Sequence, residues 1–206
     1  MRNNCVYMYS NLKGCDGTRL YFDGSSMITM NGLIYTQAPQ FSIDDVDVNV
    51  AVIDLDQVRS ARLANHSRVS QTGELSPNSI PKVVADIEIS RPIESVSMIS
   101  KAEPCCFLDP MKEIAGGPAL WLWDQLRRCG ARGFFLPLSG GADSSSTAAI
   151  VASLAIFVYD SIKAGNQDTL ATIRRVVRNE SFMPTKYQDI VAEIFVTAYL
   201  GTKNSG

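Results

Sequence analysis

The residues best suited to chemistry stand in one short segment, Ser139-Gly140-Gly141-Ala142-Asp143-Ser144. Backbone N–H groups at the start of a helix bind anions, and adjacent glycines let the backbone close around a phosphate without a Cβ in the way. The serine hydroxyls can donate hydrogen bonds to phosphate oxygens. The carboxylate of Asp143 would repel a phosphate unless a hard divalent cation lay between them, so its presence indicates Mg²⁺. The segment therefore predicts a magnesium-dependent polyphosphate site.

The same residues also suit a simpler role. Serine and aspartate are good helix N-caps, so a Gly-Gly helix start without a ligand is an alternative interpretation. The segment is not a Walker A loop, because G-x-x-x-x-G-K-[ST] is absent and no lysine lies near Gly141. We therefore do not expect cleavage of a γ-phosphate by the P-loop route.

Strand, glycine-rich loop and helix are expected in the order that a phosphate site requires. The apolar run 134–138 predicts a buried parallel strand, and residues 147–164 predict a long helix. Upstream, Pro118 is placed to begin a helix that ends near Arg128, with Gly130 as its C-terminal cap. Two later helices are expected over 170–178 and 187–200.

The first half of the chain has the pattern of short antiparallel strands. Asp23-Gly24 and Asn31-Gly32 suit type I′ hairpin turns, in which both central residues must accept positive φ. The alternating valines of 46–52 predict a further strand with one buried face. The remaining expectations are a short helix over 54–65, a mobile connector over 66–81, a strand over 82–90 and a proline-rich domain junction over 91–117.

Composition excludes several classes of protein. The 206 residues are 46% hydrophobic and 19% charged, as in ordinary globular proteins, and the net charge of −2 offers no basic field for nucleic acid or anionic lipid. The longest apolar run, 148–158, is shorter than the roughly 20 residues of a membrane-spanning helix. The N-terminal residues lack the apolar core of a secretory signal. We expect a soluble, cytoplasmic protein.

The thiol and imidazole side chains point to no further site. The five cysteines form no C-x-x-C pair, so neither structural disulfides nor a zinc site are expected. The single histidine, His66, lies in a polar stretch and is expected to be an exposed loop residue rather than a catalytic base.

A family resemblance adds to this interpretation. The pattern S-G-G-x-D-S after an apolar strand resembles the pyrophosphate-binding PP-loop of the N-type ATP pyrophosphatases, which adenylate a carboxylate or carbonyl oxygen and release pyrophosphate. The flanking blocks 117–128 and 133–141 resemble the start of the synthetase domain of eukaryotic-type glutamine-dependent NAD⁺ synthetases. Five upstream blocks resemble the last strands of the glutaminase domain of the same family: 13–17, 20–24, 30–32, 40–42 and 58–60.

The resemblance implies an α/β fold with two incomplete domains. Residues 1–90 would be the C-terminal part of a nitrilase-like αββα sandwich, 91–117 a linker, and 118–206 the first part of a Rossmann-like adenine-nucleotide alpha-hydrolase domain. The implied enzyme is a ligase of NAD biosynthesis that amidates nicotinic acid adenine dinucleotide with glutamine-derived ammonia, using ATP and Mg²⁺. Small-molecule substrates, no nucleic acid, no membrane and a homo-oligomeric full-length enzyme are expected.

The site residues implied by the resemblance follow the family motif position by position. Ser139 matches the active-site serine, and Asp143 matches the metal-binding carboxylate. The residues that would bind ATP are Pro137, Leu138, Ser139, Gly140, Gly141, Ala142, Asp143 and Ser144.

The glutaminase residues of the family, a Glu, a Lys and a Cys, would all lie upstream of this sequence. Cys15 lies in a glycine turn that matches a later part of that domain, so we do not assign it as the nucleophile. The chain is therefore expected to be an internal piece of a longer enzyme, without glutaminase activity and with little synthetase activity. The alternatives are another ATP pyrophosphatase, such as a tRNA thiolase, and a non-catalytic nucleotide-binding or interaction protein.

Overall fold

The computed structural model of the chain describes residues 4–74, 83–87 and 98–201, and these form two compact units. The first unit is drawn from segments 1–10, 25–38 and 48–106, and the second from 11–24, 39–47 and 107–206, in each case as far as the residues are described. The two units alternate along the first half of the chain. A compact unit defined by contacts is not a family domain, so the predicted domains 1–90 and 118–206 stay predictions.

The first unit is built on a three-stranded antiparallel sheet. Its strands are β1 (Val6–Tyr9), β4 (Met27–Met30) and β5 (Leu33–Gln37), with β4 in the centre. Asn31 and Gly32, between β4 and β5, both have positive φ, so the predicted hairpin turn is confirmed. Helices α1 (Leu55–Leu63) and α2 (His66–Glu74) follow in the chain. The small core of this unit contains Met30, Tyr35 and Val58.

The prediction of a strand over 46–52 is wrong. No strand is assigned there, and the valines at 46, 48 and 50 are each about three-quarters exposed. The alternation is present, but the polar face is the one that is partly buried. Asp47 and Asn49 face inward, and the valines face solvent. Asp47 accepts a hydrogen bond from Lys13 Nζ at 2.6 Å, and Asn49 donates to the carbonyl of Ser26 at 2.9 Å. These polar contacts decide which face of the segment is buried.

Two other expectations for this region need correction. Residues 66–74, expected in a mobile connector, form helix α2, and residues 75–82 lie outside the described residues. Of the strand expected over 82–90, only 83–87 is described, and it is exposed and not in a strand. The helix expected over 54–65 is confirmed as α1, whose N-cap Asp54 accepts a hydrogen bond from the amide of Asp56.

The second unit combines a short hairpin with an α/β arrangement. The hairpin consists of β2 (Lys13–Cys15) and β3 (Tyr21–Asp23). The Asp23-Gly24 pair does not turn a hairpin, because β3 pairs with β2 rather than with β4. The remaining elements are α3 (Pro110–Cys129), β6 (Phe134–Pro137), α4 (Ala142–Lys163), α5 (Gln167–Val177), α6 (Tyr187–Ile194) and β7 (Phe195–Ala198). Their buried side chains form one core that includes Trp123, Leu154, Ile173 and Ile190.

Helix α3 begins eight residues before the expected start. Asp109 is its N-cap and accepts a hydrogen bond from the amide of Met111, while Pro110 occupies the first helical position. Pro118, which the sequence suggested as the start, lies inside the helix. Part of the expected linker, 110–117, is therefore helical. The predicted cap at Gly130 is confirmed, with φ at +70°.

The expected helix over 187–200 ends at Ile194, where the chain continues as strand β7. β7 runs parallel to β6, with Phe134 opposite Phe195 and Pro137 opposite Ala198. Tertiary pairing with β6 therefore overrides the helical spacing of the apolar residues. Gly133, just before β6, makes this pairing possible, because a Cβ there would lie 2.1 Å from the carbonyl oxygen of Ile194.

Helix α4 is the one helix among the described residues whose length and apolar composition would allow a membrane span. The sequence-based estimate, which considered only the run 148–158, did not indicate this. Val151, Leu154, Val158 and other apolar residues of α4 are buried in the core of the second unit. Such packing is typical of the central helix of an α/β unit.

Candidate functional site

The glycine-rich segment leaves the carboxyl end of β6 and leads directly into α4. The amide of Leu138 donates to the carbonyl of Ala198 at 2.9 Å, which extends the pairing of β6 and β7 by one residue. Gly140 has φ at +81°, a left-handed conformation that favours glycine, and Gly141 is the N-cap of α4. The expected order of strand, loop and helix is present. In open α/β sheets ligands bind at the carboxyl ends of the strands.

Hydroxyl groups organise the inside of the loop. Ser139 Oγ accepts from the amide of Gly141 at 3.3 Å and lies 3.1 Å from Ser144 Oγ. Ser144 Oγ also donates to the carbonyl of Gly141 at 3.1 Å. The first α-helical hydrogen bond runs from the amide of Ser145 to Gly141, so the preceding amides of the first turn are not used inside the helix. The N-cap makes no side-chain hydrogen bond, which leaves this helix end able to bind an anion.

Asp143 lies in the first turn of α4 and is exposed. Within the described residues its carboxylate makes no hydrogen bond or ion pair, and only its backbone carbonyl is engaged, by Thr147 Oγ1 at 3.0 Å. No group of three or more His, Cys, Asp or Glu side chains in the described part of the chain could hold a metal ion. A cation beside Asp143 would therefore take its other ligands from a bound phosphate or from water, as Mg²⁺ commonly does.

The eight residues expected to bind ATP form one continuous path from sheet to helix. Pro137 ends β6, Leu138 is half-buried, and Ala142 begins α4, while the other five residues supply the glycines, hydroxyls and carboxylate. Gly140 and Gly141 are exposed, and neither is buried in the core or inside the helix. The geometry needed for anion binding is thus present, and the roles of the individual residues stay predictions.

A buried polar network on α3 was not found from the sequence. Asp124 is 4% exposed; it accepts from the amide of Cys15 at 2.9 Å and pairs with Arg127 at 2.7 Å. Arg127 also pairs with Asp45, and Arg128 donates to the carbonyl of Cys15 at 2.9 Å. We call these five residues the Asp124 network. It holds the β2–β3 hairpin and the 39–47 segment on α3, the helix that precedes β6 and the glycine-rich segment.

Charges in this network act on their neighbours. Burial by itself would lower the pKa of Arg127, but the carboxylates of Asp45 and Asp124 together raise it, so the guanidinium stays charged. Burial, with a contribution from the charge of Asp124, raises the pKa of Tyr21 above its ordinary value. Gly14 is required here, because a Cβ at that position would lie 2.9 Å from Asp124 Oδ2. Gly14 and Asp124 are far apart in the sequence, so their contact could not be predicted from the sequence alone.

Two other candidates are placed by the structure. Cys15 is buried, and its Sγ lies 3.2 Å from the amide nitrogen of Gly17, inside the β2–β3 hairpin. His66 is exposed but is the first residue of α2, not a loop residue.

Comparison with known proteins gives relatives along nearly the whole chain. A glutamine-dependent NAD(+) synthetase of Homo sapiens is 42% identical over 204 residues, covering 99% of this chain and 29% of the relative. The Saccharomyces cerevisiae enzyme of the same name is 42% identical over 213 residues, covering 97% of this chain and 28% of the relative. The resemblance inferred from the residues is confirmed. The chain spans less than a third of the length of the curated relatives that it matches.

A solved structure agrees with the fold. The crystal structure of a glutamine-dependent NAD(+) synthetase from Cytophaga hutchinsonii superposes with a TM-score of 0.64 and 23% identity, covering 100% of this chain and 27% of that chain. The likeness supports an α/β fold. No protein-family profile matches the chain.

Proposed function

We propose that this chain is a segment of a glutamine-dependent NAD(+) synthetase, in which residues 137–144 hold the polyphosphate of ATP. The observation that carries the proposal is the exposed strand–loop–helix turn with Gly140 at positive φ and a free helix N-terminus. The 42% identity to synthetases of the same name favours this substrate class over other ATP pyrophosphatases and over a non-catalytic role. Because the chain spans less than a third of these relatives, assigning their full activity to a longer protein that contains this segment is also part of the proposal.

The finer description of the fold belongs to the same proposal. Residues 1–90 would derive from a nitrilase-like glutaminase domain and 118–206 from a Rossmann-like synthetase domain, with 91–117 between them. The parallel pairing of β6 with β7 through intervening helices supports the second assignment. The homo-oligomeric assembly, the lack of nucleic-acid or membrane partners and the cytoplasmic location stay predictions.

ATP and Mg²⁺ fit the residues present. The unused amides of the first turn of α4 would donate hydrogen bonds to the departing pyrophosphate, and the hydroxyls of Ser139 and Ser144 would do so once they release the bonds that they make within the loop. Asp143, whose carboxylate has no partner within the described residues, would bind the cation. When bound, Mg²⁺ neutralises the charge that develops on the phosphate oxygens. Hydrogen bonds among Ser139, Gly141 and Ser144 hold the loop in this conformation before a ligand binds.

In the proposed reaction the carboxylate of nicotinic acid adenine dinucleotide attacks the α-phosphorus of ATP and pyrophosphate leaves. Ammonia then displaces AMP to give NAD⁺. The contribution of this loop is to hold the polyphosphate in line with the attacking carboxylate, and orientation of this kind lowers the barrier by removing the entropy cost of alignment. Ser139 is the residue that we place against the reacting phosphates.

Magnesium-dependent ATP binding tests the proposal in the 206-residue chain. We expect ATP to bind only when Mg²⁺ is present, and Asp143→Asn to weaken binding at least about tenfold, since a charge-assisted contact of roughly 1.4 kcal/mol or more is lost. Isothermal titration calorimetry measures both affinities. Asp168→Asn is the matched control, since Asp168 also lies in the first turn of a helix, α5, outside the loop.

The control should bind ATP as the unchanged chain does. Equal binding by the Asp143→Asn variant, or ATP binding that is indifferent to Mg²⁺, would contradict the assignment of Asp143. To separate substrate classes, pyrophosphate release should be stimulated by nicotinic acid adenine dinucleotide and not by tRNA in the longer protein that contains this segment.

A further inference from the structure

Two neighbouring thiols, those of Cys105 and Cys106, lie on the surface of the first unit. Both residues are exposed, and both cysteines are free. Of the other cysteines, Cys15 is buried, Cys5 is half-buried, and Cys129 is exposed but has no cysteine beside it in the sequence. We call Cys105 and Cys106 the thiol pair. It lies outside the glycine-rich segment and has no part in the proposed function.

The backbone next to the thiols is held against the last strand of the three-stranded sheet. The side-chain amide of Gln37, which ends β5, donates to the carbonyl of Cys106 at 2.9 Å, and the side-chain oxygen accepts from the amide of Cys106 at 3.1 Å. Upstream, the amide of Glu103 donates to the carbonyl of Ile34, also in β5, at 2.7 Å. Between these contacts, the ring of Pro104 fixes its own φ. The segment that ends in the thiol pair is therefore attached to β5 at two points.

These contacts use main-chain groups and leave the sulfur atoms available. Within the described residues, neither Sγ of the thiol pair makes a hydrogen bond, whereas Sγ of Cys129 donates to the carbonyl of Leu126 at 3.7 Å. The N–H and the C=O of Cys106 are both occupied by Gln37, so the orientation of this residue is fixed while its side chain remains exposed. A backbone that is already ordered reduces the entropy lost when two side chains bind one ligand.

Adjacent cysteines are poorly placed to form a disulfide with each other. The Cα atoms of neighbouring residues lie about 3.8 Å apart across a trans peptide, whereas the cysteines of a relaxed disulfide have Cα atoms about 5.5–6 Å apart. A metal ion between two sulfur atoms, with bonds of roughly 2.3 Å, does not require the sulfur atoms to approach as closely as a covalent bond does. The thiol pair is thus better suited to sharing a cation than to forming a disulfide.

The number and type of ligands select the class of cation. No third His, Cys, Asp or Glu of the described residues joins the thiol pair in a group that could hold a metal ion. Structural Zn²⁺ sites use four protein ligands, and Mg²⁺ and Ca²⁺ take oxygen ligands, so two thiols alone suit none of these cations. Thiolates are soft ligands that select Cu⁺, whose filled d shell accepts as few as two ligands. Two sulfur atoms can therefore complete the coordination of Cu⁺.

We propose that Cys105 and Cys106 bind one soft monovalent cation, Cu⁺, between their sulfur atoms. Two Cu–S bonds form, the two thiol protons pass to water, and copper stays in the +1 state, so the step needs no oxidant or reductant. The site goes beyond the proposed function, because it shares no residue with 137–144. Gln37 is a positioning residue, since it contacts the backbone of Cys106 rather than the sulfur atoms.

The experiment titrates the reduced 206-residue chain, in the absence of oxygen, with Cu⁺ held by the chromophore bicinchoninate. Loss of colour measures the affinity for Cu⁺, and native mass spectrometry counts the copper ions in each complex. We expect the first Cu⁺ to bind to a single chain. Cys105→Ser and Cys106→Ser should each weaken this binding at least about a hundredfold, because the second bond to a shared ligand forms at high effective concentration. Cys129→Ser, which also removes an exposed thiol, is the matched control and should not change it.

The variant Gln37→Leu tests the attachment to β5. It removes both hydrogen bonds to Cys106 and keeps the thiols, so the affinity for Cu⁺ should fall about threefold to tenfold as the segment loses order. Gln57→Leu, at an exposed position of α1 in the same unit, is its control and should leave the affinity unchanged. An equal concentration of Zn²⁺ should not displace the Cu⁺, since two thiols do not complete a zinc site.

Several results would overturn the proposal. Serine variants that bind Cu⁺ as tightly as the unchanged chain would show that the thiol pair is not the site. Complexes in which copper joins two chains would show that each chain supplies a single thiol. An unchanged affinity in Gln37→Leu, or in concentrated urea, would show that the folded segment has no role in binding.

Discussion

Charged side chains in this protein differ widely in how far water screens them. Asp124 is almost fully buried and has each of its oxygens engaged, whereas the pair Arg59–Asp56 is more than 70% exposed on both sides. An exposed pair contributes little, while removing one partner of a buried pair leaves an uncompensated charge. The Asp124 network is therefore expected to stabilise the second unit far more than the surface pair stabilises α1.

The change Asp124→Asn tests this difference. We expect it to lower the free energy of unfolding by about 3 kcal/mol, since Arg127 loses its buried partner and keeps only Asp45. Asp56→Asn, its matched control, should change stability by less than about 0.5 kcal/mol. Urea denaturation followed by circular dichroism measures both. Similar costs for the two variants would mean that the network is not energetically important.

Acid should weaken the start of α6 through Asp189. The hydroxyl and amide of Thr185 donate to its carboxylate at 2.7 and 2.8 Å and hold its pKa below the ordinary value. Because the folded pKa is lower than the unfolded one, the stabilisation is present above about pH 4 and is lost as the pH falls through the folded value. The difference in unfolding midpoint between the unchanged chain and Asp189→Asn should be larger at about pH 6 than at about pH 2.5. An equal difference at both pH values would contradict a stabilising role of the ionised Asp189 carboxylate.

At the scale of elements, long-range contacts decide where helices and strands end. Helix α6 and strand β7 are continuous in sequence, and the apolar spacing of Ile190 and Ile194 would allow the helix to continue. The parallel ladder with β6 stops it, because the strand hydrogen bonds and the packing of Phe195 on the core replace the helical ones. The glycine-rich segment depends on this ladder, since the amide of Leu138, the first residue after β6, donates to the carbonyl of Ala198 in β7.

Gly133→Ala should disrupt this ladder. A Cβ placed 2.1 Å from the Ile194 carbonyl forces β6 and β7 apart, so we expect a loss of about 2–3 kcal/mol. Gly73→Ala is the control: nothing lies near a Cβ at that helical position, so it should be neutral or stabilise by up to about 1 kcal/mol. Thermal unfolding of the two variants measures the contrast. A tolerated alanine at 133 would show that this close approach is not maintained.

At the scale of the whole molecule, the small net charge and the exposed apolar side chains both affect how readily molecules associate. The net charge is −2 at pH 7 and falls to zero near pH 5.4. Exposed side chains include Val83, at 94%, and Met98, at 91%. With little charge repulsion, such side chains favour association between molecules.

Solubility should therefore be lowest near pH 5.4. Changing two exposed lysines, Lys112→Gln and Lys163→Gln, makes the chain more negative and should move the minimum to lower pH. The protein concentration left in the supernatant after incubation across a pH series measures this. A minimum that stays in place would show that apolar contacts, rather than net charge, set the solubility.

The amino-acid sequence by itself determined the features that depend on a few neighbouring residues. These are the Asn31-Gly32 turn, the Gly130 cap and the order of strand, glycine loop and helix around Gly141, because turn and cap conformations are properties of short segments. The tertiary structure alone decided that the valines of 46–50 face outward, that Asp124 reaches the hairpin and that β7 replaces the end of a helix. Each of these depends on a partner distant in sequence, and the energy of such a contact exists only once the chain has folded around it.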